Sequence, residues 1–256
     1  MKLVQLNIWH ARRYDAVVAF LRDQDPDIIT LQEVTSYSEN WGERAMDVFE
    51  QLKTDLGLRE GANAPAFFRE GQPPGYHGNA ILSRFPLISS QVHFLSGRYS
   101  STQSFAGNWL LEPRNTLQVL LQTGAGSLRV FSTHLTFSPG FETSPVQMAQ
   151  AGRLARLLQR GRGQNTPTIL AGDLNTLPGS PVIQLLERQL HNQSSGQPLL
   201  TFARQPFIFG DFRVDGLRYQ VDYVFTGPHI QPLSIQAVDV ECSDHLPLVF
   251  TFNLLP

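Results

Sequence analysis

Short apolar runs of strand length alternate along the chain with segments in which apolar residues recur at helical spacing. The apolar runs predict strands at residues 3–8, 28–31, 79–82, 117–122, 128–133, 168–171, 221–225, 235–240 and 248–252. The helical spacing predicts helices at residues 13–24, 41–56, 145–160 and 181–189. This pattern favours one α/β domain over residues 1–256, in which outer helices cover two packed sheets.

The segments between these elements are rich in turn-forming residues. A Gly/Pro-rich loop is expected from Gly71 to Gly78, and the Gly-rich segment 123–127 predicts a hairpin between its flanking strands. Residues 190–200 are rich in Ser and Gln, which indicates a loop rather than a linker between domains.

The composition is that of a globular protein, since 41% of the 256 residues are hydrophobic and the net charge is −2. Proteins that bind long nucleic acids usually carry an excess of basic residues, and this chain has none overall. Local basic patches are still compatible with this net charge. The single cysteine, Cys242, excludes a disulfide within the chain and favours a reducing compartment. The first residues are too polar for a signal peptide, and no apolar run reaches the ~18 residues of a membrane span. We therefore expect a cytoplasmic protein, by default a monomer, with no obligate protein partner.

Polar residues suited to catalysis follow or precede several of the apolar runs. They are Asn7, Glu33, His134, Asp173, Asn175 and the pair Asp244–His245. Proteins usually hold Mg²⁺ through one or two carboxylates and several waters, and an imidazole suits proton transfer near neutral pH. The combination predicts a divalent-metal phosphoesterase site at the strand ends.

Local geometry leaves alternatives open for several of these residues. Asp173 and Asn175 would point to the same side if their strand persists, but they could equally form an Asx turn. Asp222 lies in an apolar strand and needs a partner, for which His245 and Arg218 are both candidates.

The order of the polar motifs resembles that of a known enzyme family. The motifs are Gln5-Leu6-Asn7-Ile8, Leu31-Gln32-Glu33-Val34, Gly78-Asn79-Ala80-Ile81-Leu82-Ser83-Arg84, Glu112-Pro113-Arg114, Ser132-Thr133-His134-Leu135, Gly172-Asp173-Leu174-Asn175, Val221-Asp222-Tyr223-Val224-Phe225 and Ser243-Asp244-His245-Leu246-Pro247. As an ordered set they resemble the endonuclease/exonuclease/phosphatase superfamily, which includes pancreatic-type deoxyribonuclease, inositol-polyphosphate 5-phosphatases and neutral sphingomyelinases. The resemblance runs from residue 5 to residue 247 and so covers essentially the whole chain.

This resemblance implies a deoxyribonuclease-I-like, four-layer α/β sandwich with a metal site where two mixed sheets meet. It also implies that Mg²⁺ is the cofactor, with Mn²⁺ as a substitute. By the same resemblance, Glu33 is the main metal ligand, and Asn7 and Asp244 lie beside the metal. Asn79 and Arg114 are implied to bind substrate.

The resemblance further implies the catalytic roles. Asp173 orients or deprotonates the attacking water, and Asn175 contacts the scissile phosphate. Asp222 supports His245, while His134 is the second catalytic imidazole. Either Asp173 or His245 could be the base.

Two departures from the family pattern narrow these implications. Gln220 stands where many relatives have an Arg, so that any Arg contact must come from elsewhere, for example from Arg218. The imidazole of His134 argues against the abasic-site endonuclease branch, which has other residue types in that motif.

The function expected is hydrolysis of a phosphodiester, with nucleic acid as one substrate class. The alternative is a phosphatase or phosphodiesterase acting on a small phosphorylated metabolite or lipid headgroup, like inositol phosphatases or sphingomyelinases. A non-catalytic phosphate-binding member is less favoured, because no site residue is missing.

Substrate choice is expected to depend on the loops near residues 70–78, 97–108, 137–145 and 203–216. Aromatic side chains in these loops could stack on bases, although each could equally be part of the core. The candidates are Phe137, Phe141, Phe207 and Phe209.

Overall fold

A computed structural model describes residues 1–36, 46–69, 75–100, 110–161 and 166–255. The first sheet comprises β1 (Lys2–Asn7), β2 (Ile28–Thr35), β3 (Glu60–Arg69), β4 (Gly75–Ser83), β13 (Ile230–Ala237) and β14 (Leu248–Leu254). Its strand order is β13-β14-β1-β2-β4-β3. Strands β1 and β2 are parallel and the other neighbours are antiparallel, so this sheet is mixed.

The second sheet has the same number of strands and is also mixed. It comprises β5 (Leu87–Ser96), β6 (Arg114–Thr123), β7 (Gly126–His134), β8 (Thr168–Asp173), β9 (His191–Asn192) and β12 (Asp222–Thr226). Its order is β5-β6-β7-β8-β12-β9, with β7 and β8 parallel. A small hairpin of β10 (Phe207–Phe209) and β11 (Phe212–Val214) lies outside both sheets.

Four α-helices cover the outer faces of the sheets in the described part of the chain. They are α1 (Tyr14–Gln24), α2 (Val48–Leu56), α3 (Pro145–Gly161) and α4 (Pro181–Glu187). The helix α4 begins as its sequence predicts, because the Ser180 side chain accepts a hydrogen bond from the Ile183 N–H and Pro181 occupies the first turn.

The apolar core is divided into layers by the two sheets. The central layer, between the sheets, contains Leu3, Ile28, Val119, Val130, Val224 and Phe250. One outer layer packs α1 and α2 on the first sheet, and the other packs α3 and α4 on the second. The chain therefore forms the four-layer α/β sandwich expected from its motifs, and the fold prediction is confirmed.

The two parallel strand pairs determine where the site lies. Asn7, at the end of β1, is the register partner of Gln32, which precedes Glu33 on β2. In the other sheet, His134 at the end of β7 is the partner of Asp173 at the end of β8. Since the carboxyl ends of parallel strands meet at one edge of a sheet, each pair brings its polar residues together.

Some strand predictions were incomplete or shifted. The apolar pattern predicts neither β3 nor β5, two edge strands with weak alternation, nor β9 within the loop expected at 190–200. It also predicts the late strand at 235–240 instead of Ile230–Ala237. The expected loop Gly71–Gly78 is partly wrong, because β4 begins at Gly75; residues 71–74 lie outside the described residues. The helix expected at 41–56 begins at Val48, where Asp47 caps it, and residues 41–45 again lie outside the described part.

Among the described residues, no helix has the length and apolar character that crossing a lipid bilayer requires.

Candidate functional site

The predicted catalytic residues converge on one carboxylate, that of Asp173. Its Oδ2 accepts a hydrogen bond from Asn7 Nδ2 at 3.1 Å. The same oxygen lies 3.5 Å from His134 Nε2 and 3.8 Å from His245 Nε2. Asp173 is 1% exposed, and burial together with the charge of Asp222 raises its pKa to about 7. Residues from four strands and one loop thus meet at a group that can exchange a proton near neutral pH.

The turn after β8 orients Asp173 and Asn175. The strand does not persist beyond Asp173; instead Asp173 Oδ1 accepts a hydrogen bond from the Asn175 N–H at 2.9 Å, which is an Asx turn. Asn175 then adopts a left-handed backbone with φ 48°. Its side chain nevertheless turns into the site, because Nδ2 lies 3.0 Å from His134 Nε2 and donates to the Leu135 carbonyl at 3.1 Å.

His134 is held between a cation and the polar residues of the site. Arg114 Nη1 lies 3.2 Å from Nδ1 of the ring, and burial followed by the Arg114 charge holds the pKa of His134 well below its usual range. Because a guanidinium is always a donor, Nδ1 accepts from Arg114, while Nε2 faces the Asn175 amide nitrogen and Asp173. Arg114 is only 6% exposed and also pairs with Glu112 at 2.9 Å.

Asp222 pairs with His245, the first of its two candidate partners. The distance from His245 Nδ1 to Asp222 Oδ2 is 2.8 Å, whereas Arg218 is exposed at the surface. Burial alone would lower the pKa of His245, but the charges of Asp222 and Asp173 raise it to about 10. The His245 ring is therefore an imidazolium at neutral pH, and its ring centroid lies 4.8 Å from that of Phe202.

Glu33 and Asp244 form the acidic side of the site. Burial raises the pKa of Glu33, but the charge of His10 and the Asn7 amide outweigh it and lower the pKa to about 2. Asn7 Nδ2 donates to Glu33 Oε1 at 3.1 Å, and His10 Nε2 lies 3.0 Å from Oε2. Burial and the negative charge of Glu33 raise the pKa of Asp244 to about 6.

These oxygens fit a hard divalent cation. The carboxylates of Glu33 and Asp244 are close enough to repel each other, and a cation would relieve that repulsion. A second set within the described residues, Asp173, Asp222 and His245, has ligand atoms within 4.8 Å of one another. There, however, the His245 imidazole is protonated and hydrogen-bonded to Asp222, so the oxygen set around Glu33 suits Mg²⁺ better.

Two further positions of the family pattern, Asn79 and Gln220, form hydrogen bonds with residues outside the Asp173 group. Asn79 on β4 crosses to the other sheet, where its Nδ2 donates to the backbone and side-chain oxygens of Asn115, each at 2.9 Å. Its own Oδ1 is buried without a hydrogen-bond partner in the described structure. Gln220, the departure from the family pattern, points away from the site, since it contacts Ser194 and the Leu199 N–H.

Sequence reasoning missed His10 and Phe202. His10 follows β1 in a short 3-10 helix (Trp9–Ala11) and has a left-handed backbone, φ 56°. Phe202 is far from any motif and reaches His245 only through tertiary packing. A histidine three residues after Asn7 was the available signal for His10, whereas no sequence signal marks Phe202.

The candidate stacking aromatics gather next to His245. Phe137 and Phe141 contact each other edge to face, and both Phe207 and Phe209 lie within ring contact of Phe137. Phe141 takes the core alternative, because it is 2% exposed and packs on Phe202. The other three remain partly exposed.

Comparison with known proteins matches the chain as a whole to one family. The sequence model described as the Endonuclease/Exonuclease/phosphatase family matches residues 4–245. Protein angel homolog 1 of Rattus norvegicus is 28% identical over 184 residues, which are 68% of this chain and 25% of the relative. Its Homo sapiens counterpart is 27% identical over 196 residues, 72% of this chain and 27% of the relative. The match thus spans about a quarter of the length of these curated relatives.

Solved structures share the fold over nearly the whole chain. The human Nocturnin catalytic domain with bound sulfate has a TM-score of 0.72 at 21% identity, covering 99% of this chain and 93% of that chain. A mannosyl-6-phosphatase of Bacteroides thetaiotaomicron has a TM-score of 0.73 at 15% identity, covering 99% and 100%. At 15–21% sequence identity, these similarities show only that the fold is shared.

Proposed function

The chain belongs to the endonuclease/exonuclease/phosphatase family, and from this premise we propose that it is a Mg²⁺-dependent phosphodiesterase. Members of this family are metal-dependent hydrolases of phosphoesters. The observation that carries the proposal is the contact of one carboxylate oxygen, Asp173 Oδ2, with Asn7, His134 and His245. This oxygen would bind the attacking water and receive its proton.

The protonation states support Asp173 rather than His245 as the base. An imidazolium whose pKa is raised to about 10 has no free lone pair, while a carboxyl with a pKa of about 7 is half ionised at neutral pH. His245, oriented by Asp222, would instead donate to a phosphate oxygen as charge builds there. His134 would act as the second catalytic imidazole, and Asn175 would hold the scissile phosphate.

The cation would be held by Glu33, with Asn7 and Asp244 beside it. Bound there, Mg²⁺ or Mn²⁺ would neutralise charge on the phosphate oxygens as water attacks in line with the leaving oxygen. The proposed substrate contacts are Arg114 and Asn79, at the junction of the two sheets.

A second candidate function is hydrolysis of a small phosphorylated metabolite or lipid headgroup. The similarity in fold to a mannosyl-6-phosphatase keeps this class open, but at 15% identity it bears on fold only. A non-catalytic phosphate binder is disfavoured, because a binder has no need of a carboxyl poised to exchange a proton.

The test uses bis-p-nitrophenyl phosphate with added Mg²⁺. We expect Asp173→Asn and His245→Gln each to reduce kcat about 10²–10⁴-fold, the usual contribution of proton transfer, and EDTA to abolish the activity until Mg²⁺ is restored. Asp23→Asn and His191→Gln, at exposed positions outside the loops that should select substrate, are matched controls that keep the wild-type rate. Wild-type rates in both site variants would reject the assignment.

A further inference from the structure

One histidine beside the site, His10, has no role in the proposed reaction. Its Nε2 lies 3.0 Å from Glu33 Oε2, and the two side chains are 13% and 18% exposed. Both are more accessible than Asp173, which is 1% exposed. An ion from solvent can therefore reach the imidazole of His10 and the carboxylate of Glu33 at the same place.

A distortion of β2 directs the Glu33 side chain. The register of β2 on β4 shifts between Leu31 and Val34, and Glu33 within this irregularity has a left-handed backbone, φ 56°. Residues with a Cβ rarely adopt this conformation, which persists only where the surrounding structure enforces it and is concentrated at functional sites. Such irregularities commonly re-aim a side chain beside an active site, and here the side chain is the proposed metal ligand.

A second left-handed segment presents His10. Trp9, His10 and Ala11 have φ values of 50°, 56° and 60°. The Asn7 side chain supports this turn, because its Oδ1 accepts a hydrogen bond from the Trp9 N–H at 3.0 Å. The His10 ring also packs against the buried ring of His77, at a centroid distance of 5.0 Å. Backbone and packing together therefore orient the imidazole.

The same hydrogen bond determines which atom of the Asn7 amide faces the acidic groups. Since Oδ1 accepts from the backbone, Nδ2 points to Glu33 Oε1 and Asp173 Oδ2, each at 3.1 Å. An N–H donor cannot bind a cation, so Asn7 holds Glu33 rather than the metal. The segment that follows β1 therefore offers a metal ion the imidazole nitrogen of His10 instead of an amide oxygen.

The distance between His10 Nε2 and Glu33 Oε2 matches that between two neighbouring ligands of a metal ion. An octahedral ion with ligand distances of about 2.1 Å places adjacent ligand atoms about 3.0 Å apart. The two atoms have this separation already, at 3.0 Å. A hydrogen bond bridges it when no cation is bound, so the side chains need not move to bind one.

We propose that His10 Nε2 and Glu33 Oε2 together bind the cation of this site, which gives the site a preference for first-row transition ions such as Co²⁺ over Mg²⁺. The proposal rests on the metal site of the proposed function and adds a ligand to it. Imidazole is a good ligand for transition ions, whereas Mg²⁺ binds mainly to carboxylates, carbonyls and waters. Mg²⁺ would therefore use Glu33 and water, while a transition ion would also bind the nitrogen of His10.

The first experiment titrates metal-free protein with Co²⁺ and with Mg²⁺ by isothermal titration calorimetry. We expect His10→Asn to raise the Kd for Co²⁺ at least about tenfold and to change the Kd for Mg²⁺ less than about threefold, because only the nitrogen ligand is lost. Asparagine adopts a left-handed backbone readily, so the variant should be as stable as the wild type when urea unfolding is measured in EDTA. His191→Asn, at an exposed position, is the matched control.

Proton NMR of the Co²⁺-loaded protein then identifies the ligand directly. A coordinated imidazole has a hyperfine-shifted ring N–H signal that disappears in D₂O. We expect this signal in the wild type and in His191→Asn, but not in His10→Asn. A signal that survives in His10→Asn would assign the ion to another histidine, such as His245, and would overturn the proposal.

Other results also overturn the role of His10. Equal losses of Co²⁺ and Mg²⁺ affinity in His10→Asn, with no shifted ring signal in the wild type, would mean that His10 only holds Glu33 by a hydrogen bond. Lower stability in EDTA with unchanged Co²⁺ affinity would make it a structural residue. Glu33→Gln is titrated in parallel. If Glu33→Gln loses affinity for both ions while His10→Asn loses none, only the role of His10 fails. If neither variant loses affinity, the metal site of the proposed function fails as well.

Discussion

The site contains two buried carboxyl groups, Glu33 and Asp173, whose surroundings shift their pKa values in opposite directions. Burial raises the pKa of both, but His10 and Asn7 reverse the effect at Glu33 and lower its pKa to about 2. At Asp173 burial prevails, and the charge of Asp222 adds to it, so that the pKa is about 7. Glu33 is thus suited to hold a cation, whereas Asp173 is suited to exchange a proton.

We predict that Glu33→Gln weakens the affinity of the site for the metal. The substitution keeps the shape of the side chain but removes the charge that attracts the cation, so the Kd for Mn²⁺ should rise at least about tenfold. Electron paramagnetic resonance of free Mn²⁺ measures this without reference to activity. Glu50→Gln, at an exposed position on α2, is the matched control, and equal affinities for the two variants would contradict the role of Glu33.

Strand pairing between β7 and β8 sets the distance between His134 and Asp173. Gly172, the residue before Asp173, makes this close approach possible, because a Cβ there would lie 2.1 Å from the Thr133 carbonyl oxygen. Its neighbour on β12, Tyr223, holds the other side of the strand in the same register. The site therefore depends on a backbone contact that only glycine allows.

We predict that Gly172→Ala lowers the free energy of unfolding by about 1–3 kcal/mol, the usual effect of overpacking, and lowers kcat as well. The control is Gly152→Ala in α3, where the nearest atom to the new Cβ is 3.8 Å away at the end of the Arg156 side chain. Because alanine favours a helix over glycine, this variant should be more stable by about 0.5–1 kcal/mol. Urea unfolding compares the two variants, and equal stabilities would show that the Thr133 contact is not a constraint.

For the whole molecule, a buried polar network fixes one sheet against the other. Gln32 on β2 donates to Gln5 Oε1 at 3.0 Å and to Ser132 Oγ on β7 at 3.1 Å. Ser132 in turn donates to the Leu31 carbonyl at 3.1 Å, and Gln5 reaches Asp222 Oδ1 at 3.3 Å. The network thus connects both sheets to the hydrogen-bonded pair of Asp222 and His245.

We predict that Gln32→Met destabilises the protein by about 1–3 kcal/mol. The new side chain has a similar length but leaves the Gln5 amide and the Ser132 hydroxyl buried without this partner. Gln236→Met, at an exposed position on β13, should have little effect. Urea denaturation with an unchanged m-value measures the difference, and equal midpoints for the two variants would contradict a structural role for the network.

Most of the helices and strands, and the residue types proposed for the site, can be predicted from the sequence alone. Apolar periodicity is a local property, so it located most strands and helices, and the polar residues that end those strands identified the phosphoesterase motifs. The fold followed from the order of these motifs. The edge strands β3 and β5 were missed because edge strands need little apolar alternation, and pairing with a neighbour stabilises them.

The interactions among the site residues become visible only in the folded chain. The partner of Asp222, the approach of His10 to Glu33 and the contact of Phe202 with His245 all depend on the packing of segments far apart in sequence. Residue types and spacing are encoded locally, whereas burial, charge pairing and the resulting pKa values arise from contacts between distant parts of the chain.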